Sequence, residues 1–166
     1  MKHLLFVLLL SIAITSCAQE TKTNFDAIDL AEIFIDQKGS KIPFEEILAK
    51  YEGKTVFIDI WASWCSDCVK SIPELKELQA KEKEVVYVML SLDKSKEKWQ
   101  IGIEKHNLQA EHYLFVNKWK ESKFCESIAL DWIPRYIIVS KDGSIKMYKA
   151  IKIKDKKISK AIKEDK

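Results

Sequence analysis

Residues 55–68 read Thr55-Val56-Phe57-Ile58-Asp59-Ile60-Trp61-Ala62-Ser63-Trp64-Cys65-Ser66-Asp67-Cys68. The first seven are almost continuously apolar and β-branched or aromatic, the pattern of a strand covered on both faces. Two thiols three positions apart follow directly. A strand that runs into the first turn of a helix leaves Cys65 near the helix N-terminus, where unpaired N–H groups and the macrodipole favour a thiolate. Cys68 lies one turn further on, within reach of a mixed disulfide formed on Cys65. Cys65 therefore reads as a nucleophile and Cys68 as its resolving thiol. Half of a zinc site and a purely structural bridge share this spacing. Zinc usually calls for a second Cys or His pair at short spacing; His106 and His112 offer no third ligand and read as surface residues. No metal and no cofactor is expected.

Outward from this stretch the chain alternates strand and helix. Ala31–Asp36 and Lys41–Phe44 flank the turn Gln37-Lys38-Gly39-Ser40 and predict an N-terminal hairpin. A short helix from Pro43 to about Tyr51 precedes the strand 55–61, and a helix from Cys65 to about Lys81 follows it. Glu84–Leu92 reads as a second buried strand, Lys94–His106 as a helix, His112–Val116 as a short strand and Lys118–Leu130 as a helix. In that last helix Phe124, Cys125, Ile128 and Ala129 form an apolar face, so Cys125 reads as a buried small hydrophobe. Arg135–Ser140 and Ser144–Tyr148 flank Asp142-Gly143, a hairpin signal. A terminal helix buries Ile158, Ala161 and Ile162 beneath a lysine-rich face. This order predicts an α/β sandwich with a mixed sheet.

Length and composition fit one domain. The chain has 166 residues, and 47% apolar content with 10% aromatic suffices for a core. The net charge of +3 makes no case for nucleic acid. The N-terminus bears on compartment: Met1-Lys2-His3 is a positive start, Leu4–Leu10 with Ile12–Ile14 an apolar run, and Ile14-Thr15-Ser16-Cys17 ends it in small residues before a cysteine. This resembles a bacterial lipoprotein signal. The resemblance implies that residues 1–16 are removed, that Cys17 carries the lipid, and that residues 17–26 are a tether between a membrane and a domain at 27–166. The expected location is the cell envelope, facing the periplasm or the exterior. Outside the cytoplasm a Cys-x-x-Cys pair turns over only with an upstream dithiol donor.

Several motifs in order carry a further likeness: Phe57 through Cys68, Pro73 five positions beyond, Ser91-Leu92-Asp93, and Trp132-Ile133-Pro134-Arg135 through Asp142-Gly143. Together they resemble the thioredoxin fold, and more closely the membrane-anchored thiol-disulfide oxidoreductases of the TlpA and ResA type. The 65 residues between Cys68 and Pro134 exceed what a minimal thioredoxin needs; the surplus fits a helix-plus-strand insertion at about Lys94–Val116. The resemblance implies a three-layer sandwich, a cis Ile133–Pro134 bond facing the cysteines, and a substrate seat at Trp64, Ile133, Pro134 and Arg135. There the Ile133 backbone pairs with an extended segment of a protein substrate. It also implies that Asp59, buried under the second thiol, accepts the proton Cys68 loses. Thioredoxins place Gly-Pro between the cysteines and a lysine near the buried carboxylate; this chain has Ser66-Asp67 and Met89. Asp67 beside the pair disfavours a thiolate and so favours giving electrons, with Arg135 a counterweight if its side chain points at the site. A reductant of protein disulfides is the favoured reading. A redox-silent binding module with a static bridge and a thiol peroxidase are the others, though no peroxide-binding constellation surrounds Cys65.

Overall fold

The computed structural model describes residues 22–165. Its centre is β3 (Val56–Trp61), whose six residues are all buried, as a continuous apolar run demands. β3 lies parallel to β4 (Val86–Ser91) and antiparallel to β6 (Arg135–Val139). Beyond β6 comes β7 (Ile145–Ala150), joined through the Asp142-Gly143 turn, with Gly143 at φ +82°. On the other side β5 (Glu111–Phe115) runs parallel to β4 and antiparallel to β1 (Ile33–Asp36), and β2 (Lys41–Pro43) closes the edge. The seven-stranded order is β2-β1-β5-β4-β3-β6-β7. The expected insertion, α4 (Lys96–His106) followed by β5, thus supplies the strand through which the hairpin joins the sheet.

Register sorts the side chains by face. Directly paired residues project to the same side, so Tyr136, Asp59, Met89 and His112 form one row across β6, β3, β4 and β5. That row faces α3 (Ser66–Lys81), since the Tyr136 hydroxyl donates to Ser71 Oγ at 3.0 Å. The opposite face carries Phe34 and Phe115, their ring centroids 4.6 Å apart. Phe44 of α2 (Phe44–Ala49) and Phe124 of α5 (Lys123–Ser127) close over them, 5.0 Å from each other. Helices therefore cover both sides of the sheet in three layers, and α6 (Lys156–Glu164) buries Ile158, Ala161 and Ile162 as its periodicity asks.

Three expectations change. Residues 22–26 are not the end of a tether: Phe25 packs edge-on to Phe44 at 4.9 Å, Ile145 N–H donates to Thr23 O at 2.7 Å, and Lys22 Nζ lies 2.7 Å from Asp29 at the start of the fold. Asp26 caps α1 (Ala27–Leu30) by accepting from Ile28 and Asp29 N–H. Cys17 and the signal segment lie outside the described residues. The helix expected over 118–130 contracts to α5, because Ser122 caps it at one end while Ala129, at φ +48°, turns the chain at the other. The apolar spacing there was a burial pattern longer than its helix: Phe124, Cys125 and Ile128 are buried, Ala129 is exposed. His112 is buried rather than on the surface, its Nε2 3.2 Å from Leu108 O; burial lowers its pKa and keeps it neutral.

Candidate active site

The chain leaves β3 at Trp61, crosses Ala62–Trp64 and enters α3 with Cys65 as the N-cap. Cys65 has an extended backbone (φ −81°, ψ 108°), and its Sγ accepts the Cys68 N–H at 3.1 Å. The sulfur thus does what a Ser or Asp side chain does at other helix starts: it satisfies an orphan N–H at the positive end of the dipole. A thiolate on Cys65 gains most from that position, which is the physical basis for a nucleophile there. Cys65 and Cys68 are joined in a disulfide with Cα atoms 5.3 Å apart. Cys65 Sγ also lies 3.5 Å from the Ile133 carbonyl oxygen, and the Ile133–Pro134 bond is cis. Around this nearly buried pair stand two exposed aromatics, Trp64 at 56% and Trp132 at 55% of full exposure. Isolated large apolar side chains at a rim suit contact with another chain.

Asp59 shares the sheet face of Tyr136, whose hydroxyl reaches Ser71 of α3. It is 3% exposed, and its Oδ1 has no hydrogen-bond partner. Its neighbour in register is the apolar Met89. Burial alone pushes its carboxyl up to about 8, since nothing beside it compensates the charged form. Near neutral pH this carboxyl is protonated; it can give up and take back a proton within the range where thiols react.

Residues 53–145, more than half of the chain, match the family described as Thioredoxin-like. The chain belongs to the thioredoxin-like family. It is similar to the thiol-disulfide oxidoreductase ResA of Bacillus cereus, with 26% identity over 68% of this chain and 62% of the relative; it therefore spans a little under two thirds of the length of the curated relatives it matches. Among solved structures it is similar to the thioredoxin domain of a thiol-disulfide oxidoreductase from Bacteroides vulgatus (26% identity, TM-score 0.65, covering 86% of this chain and all of that one). A thiol-disulfide oxidoreductase from Bacteroides fragilis shares the fold at 23% identity (TM-score 0.65, covering 80% of this chain and 94% of that one).

Within this thioredoxin-like frame several sequence-derived roles shift. Arg135 does not point at the sulfurs. Paired with Ile60, it lies on the face opposite Asp59, where it donates to Ile128 O and Ala129 O and pairs with Asp131. It is buried and tethers the loop before the cis bond, and it offers no counterweight at the site. Asp67 is half-exposed and lies 3.4 Å from Lys70 Nζ in a solvent-screened pair, so its charge bears less on the sulfur than its place in sequence suggests. Trp61, by contrast, keeps the core role that a large aromatic at a strand end suggests, at 1% exposed. The sequence motifs contain Ser63 and Asp93 without assigning them a role and leave out Gly102; the three meet behind the Cys65 loop. The motif spacing gave no sign of it, because Gly102 arrives from the inserted helix.

Proposed function

We propose that this chain is a thiol-disulfide oxidoreductase that reduces disulfides in other proteins. The observation that carries the reading is Cys65 as the cap of α3, with Cys68 one turn on and the Ile133 backbone beside its sulfur. In the reduced protein the Cys65 thiolate attacks one sulfur of a substrate disulfide. A mixed disulfide forms, the substrate S–S bond breaks, and the departing thiolate takes a proton. Cys68 then passes its proton to ionised Asp59 and attacks Cys65 Sγ, releasing the second substrate thiol and leaving the Cys65–Cys68 bridge. Two electrons have moved to the substrate, and an upstream dithiol donor returns them. Trp64, Ile133 and Pro134 form the substrate seat, the Ile133 backbone pairing with an extended segment.

The direction rests on Asp59. Burial that keeps this carboxyl protonated near neutral pH disfavours anionic charge in the same dry interior, which makes the dithiolate state less stable and the protein a better donor. Equilibration with defined thiol and disulfide ratios, followed by Trp64 fluorescence, tests this: a potential near or below roughly −270 mV is expected, and one near roughly −120 mV overturns it. The likeness of residues 1–17 to a lipoprotein signal supports an envelope location with Cys17 lipid-anchored. Incorporation of a labelled fatty acid that disappears in Cys17→Ser checks the anchor; unchanged labelling overturns it.

A further inference from the structure

The loop carrying Cys65 is held from two sides by groups outside the Cys-x-x-Cys motif. On one side stands Asp93, buried two residues beyond β4. Its Oδ2 accepts the Ser63 N–H at 3.0 Å and the Ser91 hydroxyl at 2.8 Å, and its Oδ1 accepts the Ser63 hydroxyl at 2.7 Å. The Asp93 N–H donates back to Ser91 Oγ at 3.0 Å, which fixes the carboxylate itself. Ser63 is thus gripped by backbone and side chain together, two residues before the nucleophile. On the other side is α4. A Cβ on Gly102 would stand 2.6 Å from Ser63 Cβ, closer than non-bonded carbons come, and 3.3 Å from the Trp61 ring, a tight contact. Gly102 lies inside a helix, where glycine is less favourable than alanine. What its bare Cα permits is this contact.

We propose that Asp93 and Gly102 are positioning residues for the exchange reaction, acting through Ser63 to set where Trp64 and Cys65 Sγ meet an incoming protein disulfide. The role rests on the reductase reading. Attack on a disulfide needs the sulfur placed along the S–S axis while the substrate strand lies against Ile133, and a misplacement of about 1 Å can cost roughly 10²-fold in rate. A carboxylate that holds one residue through both oxygens removes sliding and tilting of that residue at once. Both Asp93 oxygens are held by donors on the loop and on Ser91, so its contribution is geometric. The inserted segment then has two tasks: β5 extends the sheet, and α4 backs the loop that carries the nucleophile.

The test compares Ser63→Ala, Asp93→Asn and Gly102→Ala with the wild-type chain. kcat/KM is read for reduction of a protein disulfide (insulin) and of oxidised glutathione, together with the pH dependence of Cys65 alkylation. Each variant is expected to lose about tenfold with insulin and under about threefold with glutathione, which any approach can satisfy, while the alkylation midpoint stays in place. Ser63→Ala combined with Asp93→Asn should lose no more than Asp93→Asn alone, because both cut one contact. Equal losses on both substrates with a displaced midpoint would mean that Asp93 acts by charge on the sulfur, and would overturn the positioning role. So would insulin reduction within twofold of wild type in Ser63→Ala and Gly102→Ala, which decide the matter if Asp93→Asn does not fold. A wild-type chain inert toward every disulfide overturns the reductase reading beneath it.

Discussion

Cys65 and Cys125 both stand at the start of a helix, and of these two only Cys65 has the surroundings of a nucleophile. Cys65 is the cap of α3: its own sulfur accepts the Cys68 N–H, and exposed Trp64 sits beside it. Cys125 lies three residues into α5, where Ser122 already fills the capping place by accepting the Cys125 N–H at 3.1 Å. Its sulfur is buried near the Glu32 carboxylate, and burial pushes the thiol up to about 11. A helix N-terminus therefore does not by itself make a reactive thiol. The sulfur must be the group that completes the helix, and it must stand at a surface. Buried carboxylates repeat the lesson: Glu32 accepts from Asn117 and Ser122, both at 3.0 Å, whereas Asp59 has an oxygen with no donor and a pKa moved to about 8.

The sharpest break of this contrast exchanges the cysteines' fates. Cys65→Ser should abolish disulfide exchange, while Cys125→Ser leaves its rate within twofold; a loss of exchange in Cys125→Ser would show that the buried thiol takes part. Next in size is Asp59. Asp59→Asn should slow release of the mixed disulfide by on the order of 10²-fold. It should also flatten a pH–rate profile that in the wild type rises as Asp59 ionises near pH 8. A rise that survives in Asp59→Asn excludes the carboxyl as acceptor.

Stability supplies a separate readout of the same carboxyl. Its folded-state pKa is raised, so between the ordinary carboxylate range and about pH 8 the folded chain binds more protons than the unfolded one. The oxidised protein should then lose stability as pH climbs through that window, on the order of 4 kcal/mol by pH 7. Asp59→Asn should remove this slope in urea titrations; a wild type equally stable at pH 5 and pH 7.5 would contradict a neutral buried Asp59. A smaller effect is expected of Met89→Lys, which sets a cation in register with Asp59: the midpoint of the pH–rate profile should fall by about one unit or more. No movement would separate Met89 from the carboxyl's environment. Smallest is Cys125→Ala, expected to cost about 1 kcal/mol of stability by leaving a small void, read from the urea midpoint.

Much of the frame was legible before any coordinates, for reasons that are local. A strand buried on both faces must be apolar throughout, so Val56–Trp61 was visible. The turns carry Gly39 and Gly143 at positive φ, a conformation other residues rarely adopt. The cysteine pair announced itself by spacing. The end of the body was less visible: residues 22–26 are short and polar in sequence, and only the pocket between Phe44 and Phe124 shows why Phe25 belongs to the fold.

By itself, then, the sequence determined the strand-to-helix junction at Cys65, the Cys-x-x-Cys chemistry and the class of sandwich, because propensity, periodicity and turn chemistry act over a few neighbouring residues. Which face each side chain takes was left to the tertiary structure. Arg135 and Tyr136 are adjacent in the chain, yet the pleat sends Tyr136 to α3 beside Asp59 and Arg135 to the loop behind α5. Sheet order likewise brings Asp93 and Gly102, from separate elements, onto Ser63. Such contacts depend on register and packing between distant segments, and those are set only when the whole sheet closes.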